Sequence, residues 1–452
     1  MNELDLLTEA DARSLRYIEG NVTRRVFPSD EAITALGAFD ESLPSQGFPA
    51  ENTLALLDDI GSPATTASNG PRYFGFVIGA ALPAAAAAER LMLAWDQCAS
   101  TFDNSPVSAT LERIAGRWVL DALDLPRESA VGFGTSATAC TLGALATARR
   151  QLLARQGWDF DRHGLAGAPE IKVVASELVH ITVKKALRVL GFGLDRIIYA
   201  PVDDYGRVDA TRLPALDNRT ILCLQAGEVN TGECDPFARL LPQARKVGAW
   251  VHVDGAFGLW ARASSLMELT DGIEQADSWT TDAHKWLNTP YDGAMVICRD
   301  AQALAAAMNS DAVYSTASAD SQKNLTLEFS RRARGIPVWA ALRTLGRSGI
   351  AELVERHCSQ ASRIGDGLRR IGFEVLNRVV LNQVLFRCAT DAQTQAVRAA
   401  VQTSGDVWFG GTLWHGRPAL RISVSSWRTQ DRDVQALLEL LEKIHVATLG
   451  EG

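Results

Sequence analysis

The residues with the clearest chemical potential lie in Ser278-Trp-Thr-Thr-Asp-Ala-His-Lys-Trp-Leu-Asn-Thr-Pro-Tyr-Asp-Gly293, which presents His284 and Lys285 in a turn between two strand-like runs. A lysine held among aromatics and a proline loses hydration, and its pKa falls toward the neutral amine that attacks a carbonyl and forms an imine. Upstream by 31 residues, Val251-His-Val-Asp-Gly-Ala-Phe257 is a strand pattern ending in Asp254 and two small residues. A carboxylate at such a strand end can pair with a protonated pyridine nitrogen and make the ring an electron sink. Read alone, Lys285 is an ordinary surface charge and Asp254 a turn carboxylate. Together they favour pyridoxal phosphate.

Two further segments fit that chemistry. Val131-Gly-Phe-Gly-Thr-Ser-Ala-Thr-Ala-Cys-Thr141 runs from glycines and hydroxyls into a small-residue helix, whose first amides at Ser136, Ala137 and Thr138 can cradle a phosphate. It lacks the lysine of a P-loop. His180 follows the strand pattern at 171–175 and opens a helix, where an imidazole can lie over a cofactor ring or simply cap the helix.

These residues need a scaffold, and the chain predicts one. From about 72 to 345, apolar runs such as Ile171–Ala175, Arg196–Tyr199, Thr220–Leu224, Trp250–Val253 and Ala294–Cys298 alternate with helical stretches such as Thr138–Arg150 and Val183–Leu190. That alternation predicts a largely parallel, doubly wound α/β sheet. Residues 1–65 read as an N-terminal helical arm, with a second helix opened by Asn52-Thr53. A large domain is expected over 66–345. A smaller α+β domain is expected over 346–452, with an amphipathic helix at 350–371, strands at 383–388 and 419–425, and a closing helix from Asp431.

Composition narrows the partners. At 452 residues, 47% hydrophobic and 22% charged, the chain is expected to be globular, and its net charge of −8 argues against nucleic acid. Seven cysteines without a C-x-x-C pair argue against a zinc cluster or disulfide framework and suggest a reducing cytoplasm. No secretory signal is visible, and Phe74–Ala88, broken by glycines and Pro83, is too short to span a bilayer.

In order and spacing these segments resemble the group II pyridoxal-phosphate-dependent amino-acid decarboxylases, from about Pro71 to the C-terminus. The matching motifs are His252-Val-Asp254-Gly-Ala256, Ala276-Asp-Ser278 and His284-Lys285-Trp286, supported by Ser105-Pro-Val-Ser-Ala-Thr-Leu-Glu112, Gly227 to Asp235-Pro236, and Ser330-Arg-Arg332. The resemblance implies a fold-type-I, PLP-dependent transferase-like enzyme that decarboxylates an L-amino acid to an amine. It implies that Lys285 holds the cofactor as an imine, Asp254 pairs with the pyridine nitrogen, His180 stacks on one ring face and Ala256 packs on the other. Ser136, Ala137, Thr138 and His284 would hold the phosphate, and Arg421 would lie near the active site. Tyr314, 29 residues beyond Lys285, matches a loop tyrosine that would protonate Cα. Phe76, Gly79, Phe102 and Trp414 are candidates for a substrate side-chain pocket. The family also implies a homodimer with shared active sites. Ala139, Glu228 and Val229 depart from the family pattern and leave the amino acid open. An aldehyde-forming reaction on the same cofactor, or a cofactor-binding protein without turnover, remains as an alternative.

Overall fold

The computed structural model describes residues 2–309 and 321–450, with the backbone alone for 448–450. Two compact units form. One comprises Ala81–Ser362 with Asn377–Val384; the other takes in the chain up to Ala80, Arg363–Leu376 and the stretch from Leu385 onward.

The first unit is built on a seven-stranded sheet. Its strands are β1 (Ala130–Gly134), β2 (Lys172–Ser176), β3 (Ile197–Ala200), β4 (Thr220–Gln225), β5 (Trp250–Asp254), β6 (Ser278–Asp282) and β7 (Ala294–Cys298), in spatial order β1-β7-β6-β5-β4-β2-β3. The steps from β6 through β5, β4 and β2 to β3 are parallel. β7 runs antiparallel to both β1 and β6. Two reversals cancel, so β1 points the same way as β6. The carboxyl ends of β1, β2, β4, β5 and β6 therefore share one sheet edge, the edge where open α/β sheets bind ligands.

Every residue of β4 to β7 is buried, which is why β4, β5 and β7 read as largely apolar runs rather than alternations, whereas the buried β6 is mostly polar, Ser-Trp-Thr-Thr-Asp. The Ala137–Arg155 helix follows β1. Its Cys140, Ala144, Leu145, Ala148 and Leu152 pack in one core with Val173, Ala175, Ile221, Cys223 and Val296. Small residues let the helix backbone approach the sheet closely, and this seats its first turn beside the strand ends.

A second, four-stranded sheet comprises β8 (Glu374–Val375), β9 (Gln383–Arg387), β10 (Gly410–Trp414) and β11 (Arg417–Ser423), in order β10-β11-β9-β8. Of the expected helical face, Ile350, Leu353, Val354, His357, Ala361, Ile364 and Leu368 are buried and Ile371 is half-buried. This helix runs Gly335–Ile371 and is broken at Gly346, whose φ of 61° and ψ of −176° lie outside helical geometry. Several details differ from expectation, among them the strands β1 and β8, which were not expected. Asn52-Thr53 lies inside a helix, Ala50–Leu56, capped by Pro49. β10 was absent from the sequence reading, because its two glycines give no β-branched signal. No helix among the described residues is long and apolar enough to cross a membrane.

Candidate active site

β5 ends at Asp254, and the chain then turns under tight constraint. A Cβ on Gly255 would lie 2.7 Å from Leu259 Cβ and 3.2 Å from the Thr280 carbonyl oxygen, so only glycine passes there unstrained. The Ala256 N–H donates to Asp254 Oδ1 at 3.1 Å, and the Ala256 carbonyl accepts from the Asp282 N–H at 2.8 Å, tying the ends of β5 and β6 together. Burial pushes the Asp254 carboxyl up, the positive charges of His180 and Lys285 pull it back, and Asp282 adds to the rise. Asp254 makes no ion pair among the described residues.

Beyond β6 the chain makes the turn that carries Lys285. The Ala283 N–H donates to the Gly293 carbonyl at 2.9 Å, and Asn288 takes φ of 58°, a left-handed conformation that asparagine tolerates. Asn288 Nδ2 donates to the Trp286 carbonyl at 2.7 Å. The Trp286 ring is buried, and its Nε1–H donates to His357 Nδ1 at 3.0 Å. With its neighbour anchored in this way, Lys285 leaves Nζ 3.1 Å from Asp282 Oδ2.

The helix start lies against the same carboxylate. Ser136 is the N-cap, its Oγ accepting the Ala139 N–H at 3.3 Å, and the Ala137 N–H donates to Asp282 Oδ1 at 2.6 Å. Thr138 is half-buried in that first turn. His284 Nδ1 accepts the Gly293 N–H at 3.1 Å, which leaves the ring proton on Nε2, 3.7 Å from Asp282 Oδ1. Burial lowers the His284 pKa, with Asp282 opposing, so the ring is neutral at pH 7. Tyr291 stacks on it with ring centroids 4.2 Å apart. His180 caps the Ile181–Val189 helix, its Nδ1 2.6 Å from Thr182 Oγ1.

The structure thus gathers Lys285, Asp254, Ala256, His180, His284 and the Ser136–Thr138 turn at one sheet edge. Phe102 lies elsewhere in the same unit. It is exposed and lines a cavity of about 570 Å³ with Glu112, Arg113, Arg117 and Leu325, and none of the gathered residues lines that cavity. In the second unit Phe76 is 59% exposed and stacks on Trp408 at 5.4 Å, while Trp408 stacks on Tyr73 at 5.0 Å. Gly79 is buried three residues further on. Arg421 pairs with Gly410 at the start of β10, whereas Trp414 is buried at the other end of that strand, about 13 Å along. Trp408, not Trp414, is the tryptophan beside Phe76. Tyr314 lies outside the described residues.

The sequence reading missed Asp282, Tyr291 and Trp408. Asp282 was legible in one respect, since it stands three residues before Lys285 in the quoted segment. Its bond to Ala137, 145 residues away, was not.

A model of the pyridoxal-dependent decarboxylase conserved domain matches residues 36–389, well over half of the chain. The chain belongs to that family. Tryptophan decarboxylase 1 of Oryza sativa subsp. japonica is 26% identical over 89% of this chain and 85% of its own length. Tyrosine decarboxylase 2 of Arabidopsis thaliana is 25% identical over 87% of this chain and 77% of its own length. The crystal structure of Oryza sativa TDC with PLP and tryptamine superposes with a TM-score of 0.90 at 24% identity, covering 99% of both chains, and bears out the fold class.

The decarboxylase is a carboxy-lyase that converts an amino acid to its amine and CO2 with pyridoxal 5′-phosphate as cofactor. Its residues fit that group. Asp254 is a buried carboxylate whose charge lacks an ion-pair partner among the described residues, as a pyridinium partner requires. Lys285 presents an amine at the same sheet edge, and the capped helix start meets it at Asp282.

Proposed function

We propose that this decarboxylase acts on an aromatic L-amino acid, with Lys285 as the cofactor lysine. The observation that carries the assignment of roles is the convergence of Lys285, Asp254, His180 and the Ser136–Thr138 turn at the carboxyl edge of the sheet. The aromatic reading is supported by relatives named for tryptophan and tyrosine, and by the exposed Phe76 ring backed by Trp408.

When bound, the cofactor supplies an electron sink for the pair left at Cα as CO2 departs. Asp254 holds the proton on the pyridine nitrogen, because a carboxylate buried at that point stabilises a positive charge beside it. His180 and Ala256 would hold the ring from its two faces, and the contact with Thr182 Oγ1 keeps the His180 imidazole in one orientation. His284 donates from Nε2 to the phosphate, with Ser136, Ala137 and Thr138 contributing from the helix start. Tyr314, which matches the family's loop tyrosine, would deliver the proton to Cα, as the resemblance implies. Arg421, Phe76 and Gly79 stay as candidates for the substrate side chain on the family resemblance, whereas Phe102 lines a separate cavity and Trp414 lies at the far end of β10 from Arg421; Trp408 is the tryptophan that backs Phe76.

The working form is a homodimer with shared active sites, as the family resemblance implies. The cytoplasm is its compartment, supported by seven cysteines that form no disulfide. A screen of the L-amino acids for CO2 release by the cofactor-loaded protein tests the substrate class. Release from tryptophan, tyrosine or phenylalanine is expected, and release confined to glutamate or another acidic amino acid would overturn the aromatic reading.

A further inference from the structure

The helix start proposed to hold the cofactor's phosphate is already engaged by an anion of the protein itself. Asp282 is 3% exposed, and three positive or proton-donating groups converge on its carboxylate: the Ala137 N–H at 2.6 Å, Lys285 Nζ at 3.1 Å and His284 Nε2 at 3.7 Å. A helix N-terminal amide, a lysine and a histidine are the donors an anion-binding site offers a phosphate. Two of them, Ala137 and His284, are among the groups assigned to the phosphate above. The backbone of Asp282 is fixed by its bond to the Ala256 carbonyl, so the carboxylate stays at this junction. Asp254 faces it from the end of β5 and adds a second negative charge. Tyr291 and Cys140 also feel its field.

We propose that Asp282 is the resident anion of the phosphate cradle, and that the cofactor's phosphate competes with it for the Ala137 amide and His284. This rests on the reading that the Ser136–Thr138 turn holds the phosphate. The carboxylate then serves two ends. It satisfies a buried amide and the Lys285 charge when phosphate is away, and it opposes the phosphate charge when phosphate arrives, which limits cofactor affinity.

The test compares pyridoxal phosphate with pyridoxal, which lacks the phosphate but reacts with the same lysine. The full-length protein is stripped of cofactor and equilibrated by dialysis with each compound, as wild type, as Asp282→Asn and as Asp282→Ser. Taking the ratio of the two affinities cancels any change in the reactivity of Lys285. Removing one like charge at this distance should raise the ratio about tenfold in both variants, and inorganic phosphate should compete more strongly in the variants by a similar factor. A merely structural role would lower the melting temperature and leave the ratio alone. A ratio that falls or stays within about twofold of wild type would overturn the proposal, and either variant suffices if the other fails to fold. A wild-type protein that binds pyridoxal phosphate no better than pyridoxal would instead remove the phosphate cradle, and the inference with it.

Discussion

Arg331 and Glu112, 219 residues apart in the chain, form a bidentate ion pair with Nη1–Oε1 at 2.9 Å and Nη2–Oε2 at 2.5 Å, both side chains almost wholly buried. The pair links the Pro106–Ala122 helix to the segment that leads into the Gly335–Ile371 helix, and a Cβ on Gly335 would collide with Glu112. Two motifs separated in sequence, Ser105–Glu112 and Ser330–Arg332, are thus two halves of one contact. Burial pushes the Glu112 carboxyl up to about 7 although Arg331 pulls it down. Glu112→Ala leaves a guanidinium buried without its partner and should cost about 3–5 kcal/mol of unfolding free energy. The double change Glu112→Leu with Arg331→Met should cost clearly less than the two single changes summed. Urea denaturation of wild type, Glu112→Ala, the two single variants Glu112→Leu and Arg331→Met, and the double variant measures both.

Lys285→Ala should lower CO2 release by about a thousandfold or more. Borohydride reduction of the loaded wild type, followed by peptide mapping, should place the label on residue 285. A label on another lysine would remove Lys285 from its role.

Asp254→Asn keeps the shape of the strand end and removes its charge. It should lower kcat about a hundredfold or more, because the stabilised positive charge on the ring nitrogen is lost. Asp254→Glu should recover part of the loss, and unchanged turnover in the asparagine variant would show that the ring nitrogen has another partner.

His252 sets a pH dependence of stability. Its Nδ1 lies 3.0 Å from Ser278 Oγ inside the sheet, and burial drives the imidazole down to about 3. In the unfolded chain the ring titrates near 6.5, so as pH falls the unfolded state binds the proton first. The contribution of neutral His252 is complete above about pH 6.5 and is progressively lost as pH falls toward 3. His252→Phe keeps a ring without the titration. Unfolding free energies from denaturation between pH 6.5 and 4.5 should fall less steeply in this variant, by about one proton's worth of slope.

Phe76 tests the substrate class from the protein side. Phe76→Ser removes the exposed ring from the Trp408 stack and should raise KM for an aromatic L-amino acid about five- to tenfold. The visible spectrum of the bound cofactor should be unchanged. An equal KM in both proteins would separate this aromatic surface from substrate recognition.

Much of this enzyme was legible in its sequence. The alternation of buried strand runs and helices gave the sheet, with boundaries such as 171–175 against Lys172–Ser176 shifted by a single residue. Where the local signal was weak, as in Gly410–Trp414, the strand was missed, because its pairing with Arg417–Ser423 makes it a strand. The order of the Asp254 and His284-Lys285 motifs identified the cofactor chemistry, since imine formation and ring-nitrogen pairing demand particular residue types, and types are what a sequence records.

Which distant atoms meet was decided by the fold alone. Strand order places the ends of β1 and β6 on the same edge, and only that brings the Ala137 amide onto Asp282. Likewise Trp408 rather than Trp414 backs Phe76, because the Arg72–Phe74 segment hydrogen-bonds to residue 408. Local patterns follow from each residue's own chemistry and its near neighbours. Contacts across 145 or 219 residues depend on how strands are ordered and which faces are buried, which no linear spacing encodes.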